Sequence, residues 1–125
     1  MENRLEKEQA IALMAGWKYW PKAPFWKLFV RYDDAWEAPN KKFAVGAKGL
    51  RYLTNMGWQF EVFDLIRQAG YTWHVMFNVV LVMKGEKRQY KTLVKVEYKD
   101  GEYPNEAIFE ALYQFSLLNI KIWKR

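Results

Sequence analysis

One histidine, His74, and one serine, Ser116, are the only such residues in this 125-residue chain, and cysteine is absent. A Ser–His or Cys–His mechanism needs a base within hydrogen-bond reach of its nucleophile. Ser116 stands between Phe115 and Leu117 in an apolar helical stripe, where packing is its expected role, and His74 falls mid-strand. No second histidine and no cysteine joins His74 as a metal ligand. The acidic pairs Asp33-Asp34 and Glu61/Asp64 fall in stretches that read as a loop and a strand end, where turn formation and solvation are expected. Gly46 and Gly49 lack the lysine-serine context of a phosphate loop. The expectation is a protein that is not an enzyme, with no catalytic residue, no metal and no cofactor.

Binding chemistry is better represented. The segment Trp17-Lys-Tyr-Trp-Pro-Lys-Ala-Pro-Phe-Trp-Lys27 interleaves five aromatic residues with three lysines. Rings and cations in alternation stack on bases and neutralise phosphates, or anchor a protein partner; the same rings can also cap a core at a sheet edge. From this region Trp20, Lys22, Phe25, Trp26, Lys27 and Arg31 are the candidate contact residues. A second candidate surface carries Lys84, Lys87, Arg88, Lys91, Lys95 and Lys99 in a late hairpin. Lysines at period two also mark a solvated sheet protected from edge-to-edge association. His74, on the strand face opposite Trp73, joins Arg88, Lys91 and Lys95 as a candidate binding residue.

Positioning these residues requires a core, and the composition supplies one. At this length the chain reads as a single domain, residues 1–125, and 51% hydrophobic content makes disulfide or metal staples unnecessary. The net charge of +6 and pI near 9.5 point to polyanionic partners, with solubility as the competing reason for the charge. No apolar run approaches a membrane span, and the opening MENRLEKEQ is too polar for a signal peptide. A soluble, intracellular protein is expected.

Residues 3–14 predict a helix closed by Gly16, which can take a left-handed backbone, followed by an extended segment from Trp17 to Trp20. Phe25 to Tyr32 alternates as a strand, and Asp33 to Asn40 reads as a loop. Phe43 to Met56 predicts a second helix, closed by Gly57 and running into a strand with Trp58, Phe60 and Val62 on one face. Each Gly-Trp would then mark a helix turning into a strand. Tyr71 to Met83 predicts one long strand with Tyr71, Trp73, Val75, Phe77, Val79, Leu81 and Met83 sharing a face. A turn at Lys84–Lys87 leads to a returning strand, Arg88 to Lys99, with Thr92, Val94, Val96 and Tyr98 inward and Lys91, Lys95, Glu97 and Lys99 outward. Pro104 opens a last helix with Ala107, Ile108, Ala111, Leu112, Phe115 and Leu118 on its apolar stripe; residues 119–125 fit either a fraying helix end or an edge strand. The order α-β-β-α-β-β-β-α defines an α+β domain, a single antiparallel sheet packed against helices.

Met14-Ala-Gly-Trp17, Leu50-Arg-Tyr-Leu-Thr-Asn-Met-Gly-Trp58, Tyr71-Thr-Trp-His-Val-Met-Phe77 and Pro104-Asn-Glu-Ala-Ile-Phe-Glu-Ala-Leu112 occur in an order and spacing that resembles the phage ABA sandwich domain family. The resemblance implies a phage or prophage origin and a layered helix/sheet fold, and it carries over no catalytic residues. The chain departs from that pattern in a longer Val79–Gln89 hairpin and a more basic strand after Pro24. The resulting expectation is a non-catalytic protein in the host bacterial cytoplasm. Its partner would be a host protein or protein–nucleic-acid complex, with inhibition of a defence system as the role. Nucleic-acid binding and sequestration of a small anionic nucleotide are the alternatives, and homodimerisation through an edge strand stays open. The acidic opening of the last helix, Pro-Asn-Glu-Ala-Ile-Phe-Glu, argues against a double-stranded-RNA-binding domain, which needs positive charge there.

Overall fold

The computed structural model describes residues 4–22, 33–39, 44–86 and 89–122. Helix α1 spans Arg4–Met14, followed by β1 (Lys18–Lys22), β2 (Asp33–Glu37) and β3 (Ala44–Gly46). A short 3-10 turn at Ala47–Gly49 precedes helix α2 (Met56–Gln68). Strands β4 (Tyr71–Met76), β5 (Val79–Glu86) and β6 (Gln89–Glu97) then lead to helix α3 (Pro104–Ser116). The class is α+β with antiparallel pairing between the described strands, as expected, but the single sheet expected from the sequence is instead two three-stranded sheets, β1-β2-β3 and β4-β5-β6, because the pairings of the first three described strands close among themselves.

The first Gly-Trp behaves as the sequence predicts. Gly16 takes φ +94° after α1, and the amides of Gly16 and Trp17 donate back to Leu13 and Ala12, so the chain leaves the helix directly into β1. The second does not. Gly57 and Trp58 lie in the first turn of α2, whose cap is Asn55; its side-chain oxygen accepts from the Trp58 amide at 3.1 Å. Such a cap contributes about 1 kcal/mol. From residue 44 on, the predicted helix over 43–56 is replaced by β3, the 3-10 turn and a turn at 52–54, and the predicted strand from Trp58 is a helix. The helical period wins because Gln59, Val62, Phe63 and Ile66 together form its buried stripe.

Asp33–Glu37, predicted as a loop, is the central strand of the first sheet, with Ala35 and Trp36 buried between the pairings to β1 and β3. Pairing on both edges overrides its turn-like composition. The predicted strand over Phe25 to Tyr32 lies outside the described residues. The long strand predicted over 71–83 is broken at Phe77-Asn78, where Asn78 takes φ +66° in a two-residue connection pairing Met76 with Val79. The turn resets which face each residue takes: Trp73 sits opposite Val82 and Val75 opposite Val80, so the buried residues of β5 are Val80 and Val82 rather than Val79, Leu81 and Met83. Pairing continues past the predicted turn at Lys84–Lys87, through Gly85 with Tyr90 to Glu86 with Gln89.

A register shift next changes the basic surface. Val82 pairs with Val94 but Met83 pairs with Thr92, so Leu93 is an extra residue in β6. Leu93 and Val94 both pack on the core, and Thr92, predicted inward, is exposed. Lys95 aligns with Leu81 and His74, whereas Lys91 aligns with Lys84 and Tyr71, so the bulge puts Lys91 and Lys95 on opposite faces of the sheet.

Helices α2 and α3 cover one face of this second sheet. The Phe63 ring stacks on Trp73 at 4.4 Å and Tyr71 meets Phe115 edge-on at 5.6 Å. Helix α1 lies against α3, tied by Lys7 to Glu110 at 2.6 Å. The predicted stripe of α3 is buried from Ala107 to Phe115, while Leu118, beyond the helix end, is exposed. Neither alternative for the C-terminal segment holds over its described part: after a turn at 117–119 the chain is irregular and buries Ile122.

A polar cluster joins the three helices to the irregular segment before α2. Glu8 of α1 is almost fully buried and accepts from the amides of Tyr52 (2.6 Å) and Leu53 (3.3 Å). Buried Gln59 of α2 donates to the carbonyls of Tyr52 (2.6 Å) and Asn105 (3.0 Å), and the Asn105 side chain donates to the Leu53 carbonyl at 3.0 Å. An irregular segment inside a core must have its backbone groups satisfied by side chains, and these three residues do so.

Candidate functional site

That cluster also fixes one wall of a cleft of about 270 Å³. The cleft is lined by Ala15 and Trp17 from the turn after α1, Ala38 and Pro39 from the end of β2, Tyr52, and the α2 residues Trp58, Glu61, Val62, Asp64 and Leu65. Trp58, Glu61, Val62 and Leu65 share a helix face by their spacing of three, four and seven.

Three rings form the apolar wall. Trp17 and Trp58 are 5.4 Å apart between centroids, and Tyr52 meets Trp58 edge-on at 5.3 Å. Tyr52 is held at three atoms: its amide by Glu8, its carbonyl by Gln59, and its hydroxyl by the Trp17 indole N–H at 2.7 Å. Burial pushes the Tyr52 phenol well up, with the Glu61 and Glu8 charges adding to the rise against the Trp17 hydrogen bond, so it stays protonated at neutral pH. Its own proton has no acceptor among the described residues.

The rim is acidic. Asp64 is engaged by Arg67 and Gln68, both at 2.7 Å, and those hydrogen bonds hold its carboxyl below the usual range. Glu61 is exposed and makes no ion pair among the described residues. An acid-rimmed aromatic wall therefore opens on the surface of a chain whose net charge is +6.

The residues predicted from sequence are dispersed. Trp20 is half-buried in β1, its indole donating to Glu37 at 3.1 Å and its ring under the Lys18 ammonium at 4.2 Å. Lys22 closes β1 opposite Asp33. Phe25, Trp26, Lys27, Arg31 and Arg88 lie outside the described residues. His74 and Lys95 share a row on the sheet face away from α2 and α3. Lys91 instead borders a shallow groove of about 290 Å³ with Lys84, Gln89 and Tyr90. His74 and Ser116 are on different layers, the serine hydroxyl donating to the Tyr113 carbonyl at 2.5 Å.

Tyr52, Trp58 and Glu61 were not among the predicted binding residues. A signal was present: Trp58-x-x-Glu61-x-x-Asp64 places ring and acids together once the segment is read as a helix with Asn55 as its cap. Among the described residues no cluster of His, Cys, Asp and Glu is placed to hold a metal, and no helix is long and apolar enough to cross a membrane. None of the protein-family models, curated proteins or solved structures matches this chain.

Proposed function

We propose that this protein is a non-catalytic binding protein that holds a macromolecular partner at the Trp17–Tyr52–Trp58 cleft. The single observation that carries this reading is the fixing of Tyr52 at three atoms in a ring-walled opening. A rigid aromatic wall binds without the entropic cost of ordering it, which is why such rings dominate interface energetics. The resemblance to a phage family supports reading the partner as a host macromolecule in the bacterial cytoplasm, with inhibition of a defence system as the proposed role.

Nucleic-acid binding is a second reading, favoured by the groove that exposed Tyr90 lines together with Lys84 and Lys91. The third, sequestration of an anionic nucleotide, is disfavoured at the cleft because Glu61 and Asp64 would repel it.

Capture from bacterial lysate by the immobilised wild-type chain, with a Trp58→Ala variant in parallel, separates these readings. The expected result is a partner retained after nuclease treatment by the wild type and lost by a Trp58→Ala protein that melts as a folded chain. No capture, or equal capture by the variant, contradicts the cleft. Capture abolished by nuclease replaces it with the nucleic-acid reading.

A further inference from the structure

We propose that the cleft accepts an arginine side chain of a protein partner, an inference that rests on the partner-binding reading of the same site. The overall charge of +6 points to an anion, but the local chemistry points the other way. Asp64 already shares its charge with Arg67, so Glu61 leaves the rim with one unopposed negative charge among the described residues. A monocation restores neutrality there; an anion adds repulsion.

The rings select the kind of cation. Indole faces attract cations through their quadrupole, most strongly where water is excluded. A guanidinium is planar and weakly hydrated, so it stacks on an indole and forks onto a carboxylate in one pose, whereas an ammonium remains a strongly hydrated point charge. Trp58 and Glu61 are three apart on one helical face, which places ring and carboxylate on the same side for that combined contact. The Tyr52 hydroxyl adds a donor without an acceptor among the described residues. A peptide carbonyl beside the arginine fits that donor, and a free amine offers none. The volume of about 270 Å³ admits one long side chain with its flanking peptide group and no folded element.

The test uses the full chain and N-acetyl-L-arginine methylamide as the probe, followed through the indole N–H signals in two-dimensional NMR. The expected result is a saturable, millimolar shift of the Trp17 and Trp58 signals. Glu61→Gln, at an exposed position that leaves folding intact, weakens binding about threefold to tenfold. The norleucine analogue, with the stem but no charge, and adenosine monophosphate leave those signals in place. The lysine analogue binds several-fold more weakly than arginine.

No saturable shift with arginine, an equal response to norleucine, a response to the nucleotide instead, indifference to Glu61→Gln, or lysine binding as tightly overturns the assignment. The two proposals fail separately. A nuclease-resistant partner captured through Trp58 by a chain that ignores the arginine probe removes the cation and leaves the partner. A bound probe with no captured partner does the reverse.

Discussion

Replacing Glu8 with alanine is expected to lower the unfolding free energy by about 3 kcal/mol, because it strands one buried and one partly buried backbone donor at about 1–3 kcal/mol each. The Tyr52 and Leu53 amides point at the two carboxylate oxygens from a segment with no helix or strand of its own to satisfy them. Part of that loss is offset, since alanine also removes the cost of burying a carboxylate. Urea unfolding followed by circular dichroism measures the difference; a change below about 1 kcal/mol would mean that water reaches these amides.

Glu8 also fixes a pH dependence. Burial raises its carboxyl above the ordinary 4.5, outweighing the two amide hydrogen bonds and the nearby Arg4, 3.6 Å away. With the folded value above the unfolded one, the folded state binds the proton more tightly. The resulting stabilisation is complete below the unfolded value and is lost as pH rises through the folded one. Glu8→Gln cannot titrate, so acidification from about pH 7 to about pH 4 should stabilise the wild type relative to that variant. A wild-type-minus-variant difference that is flat or of opposite sign would mean that burial does not outweigh the amides and Arg4.

Phe63→Ala should cost about 4 kcal/mol, the range for emptying a fully buried phenylalanine site. Phe63 has no exposed surface and lies nearly parallel to Trp73, with 12° between ring planes, and Phe60 tilts against both. Removing the ring opens the seam between α2 and the second sheet at its midpoint, and neighbours that large cannot collapse into the gap without leaving their rotamers. Phe63→Leu, which keeps most of the volume, should lose less than half as much. The check is the urea midpoint together with near-ultraviolet dichroism from Trp73; equal losses for the two variants would show that stacking, rather than volume, dominates.

What could be read from the sequence divides along physical lines. Helices α1 and α3 were legible because their signals are local: Gly16 just past one helix, Pro104 at the first turn of the other, and an apolar stripe in α3. The segment from Phe43 to Val62 misled because Trp58, Phe60 and Val62 alternate like a strand while Gln59, Val62, Phe63 and Ile66 repeat like a helix. The tie is broken by Asn55, whose capping bond no periodicity reports. Facing in the second sheet depended on the two-residue connection at Phe77-Asn78, which inverts β5, and on an extra residue at Leu93, which switches Lys91 and Thr92 while Val94 and Val96 keep the expected face. The cleft was obscured for the same reason: with Trp58 on a strand, Glu61 and Asp64 look like solvating acids near a strand end. It is assembled from four separate pieces of chain whose approach depends on Glu8 and Gln59 reaching into a segment more than 40 residues from one and 7 from the other.

A partner's affinity for the wild type and two single-site variants tests the location of the binding site most directly: the charge reversal Glu61→Lys at the cleft rim, and Lys95→Glu on the sheet face away from α2 and α3. Measured by titration calorimetry, Glu61→Lys is predicted to weaken the complex about tenfold or more, while Lys95→Glu stays within about twofold of wild type. The opposite pattern, affinity lost at Lys95 and kept at Glu61, would move the function to the basic sheet surface.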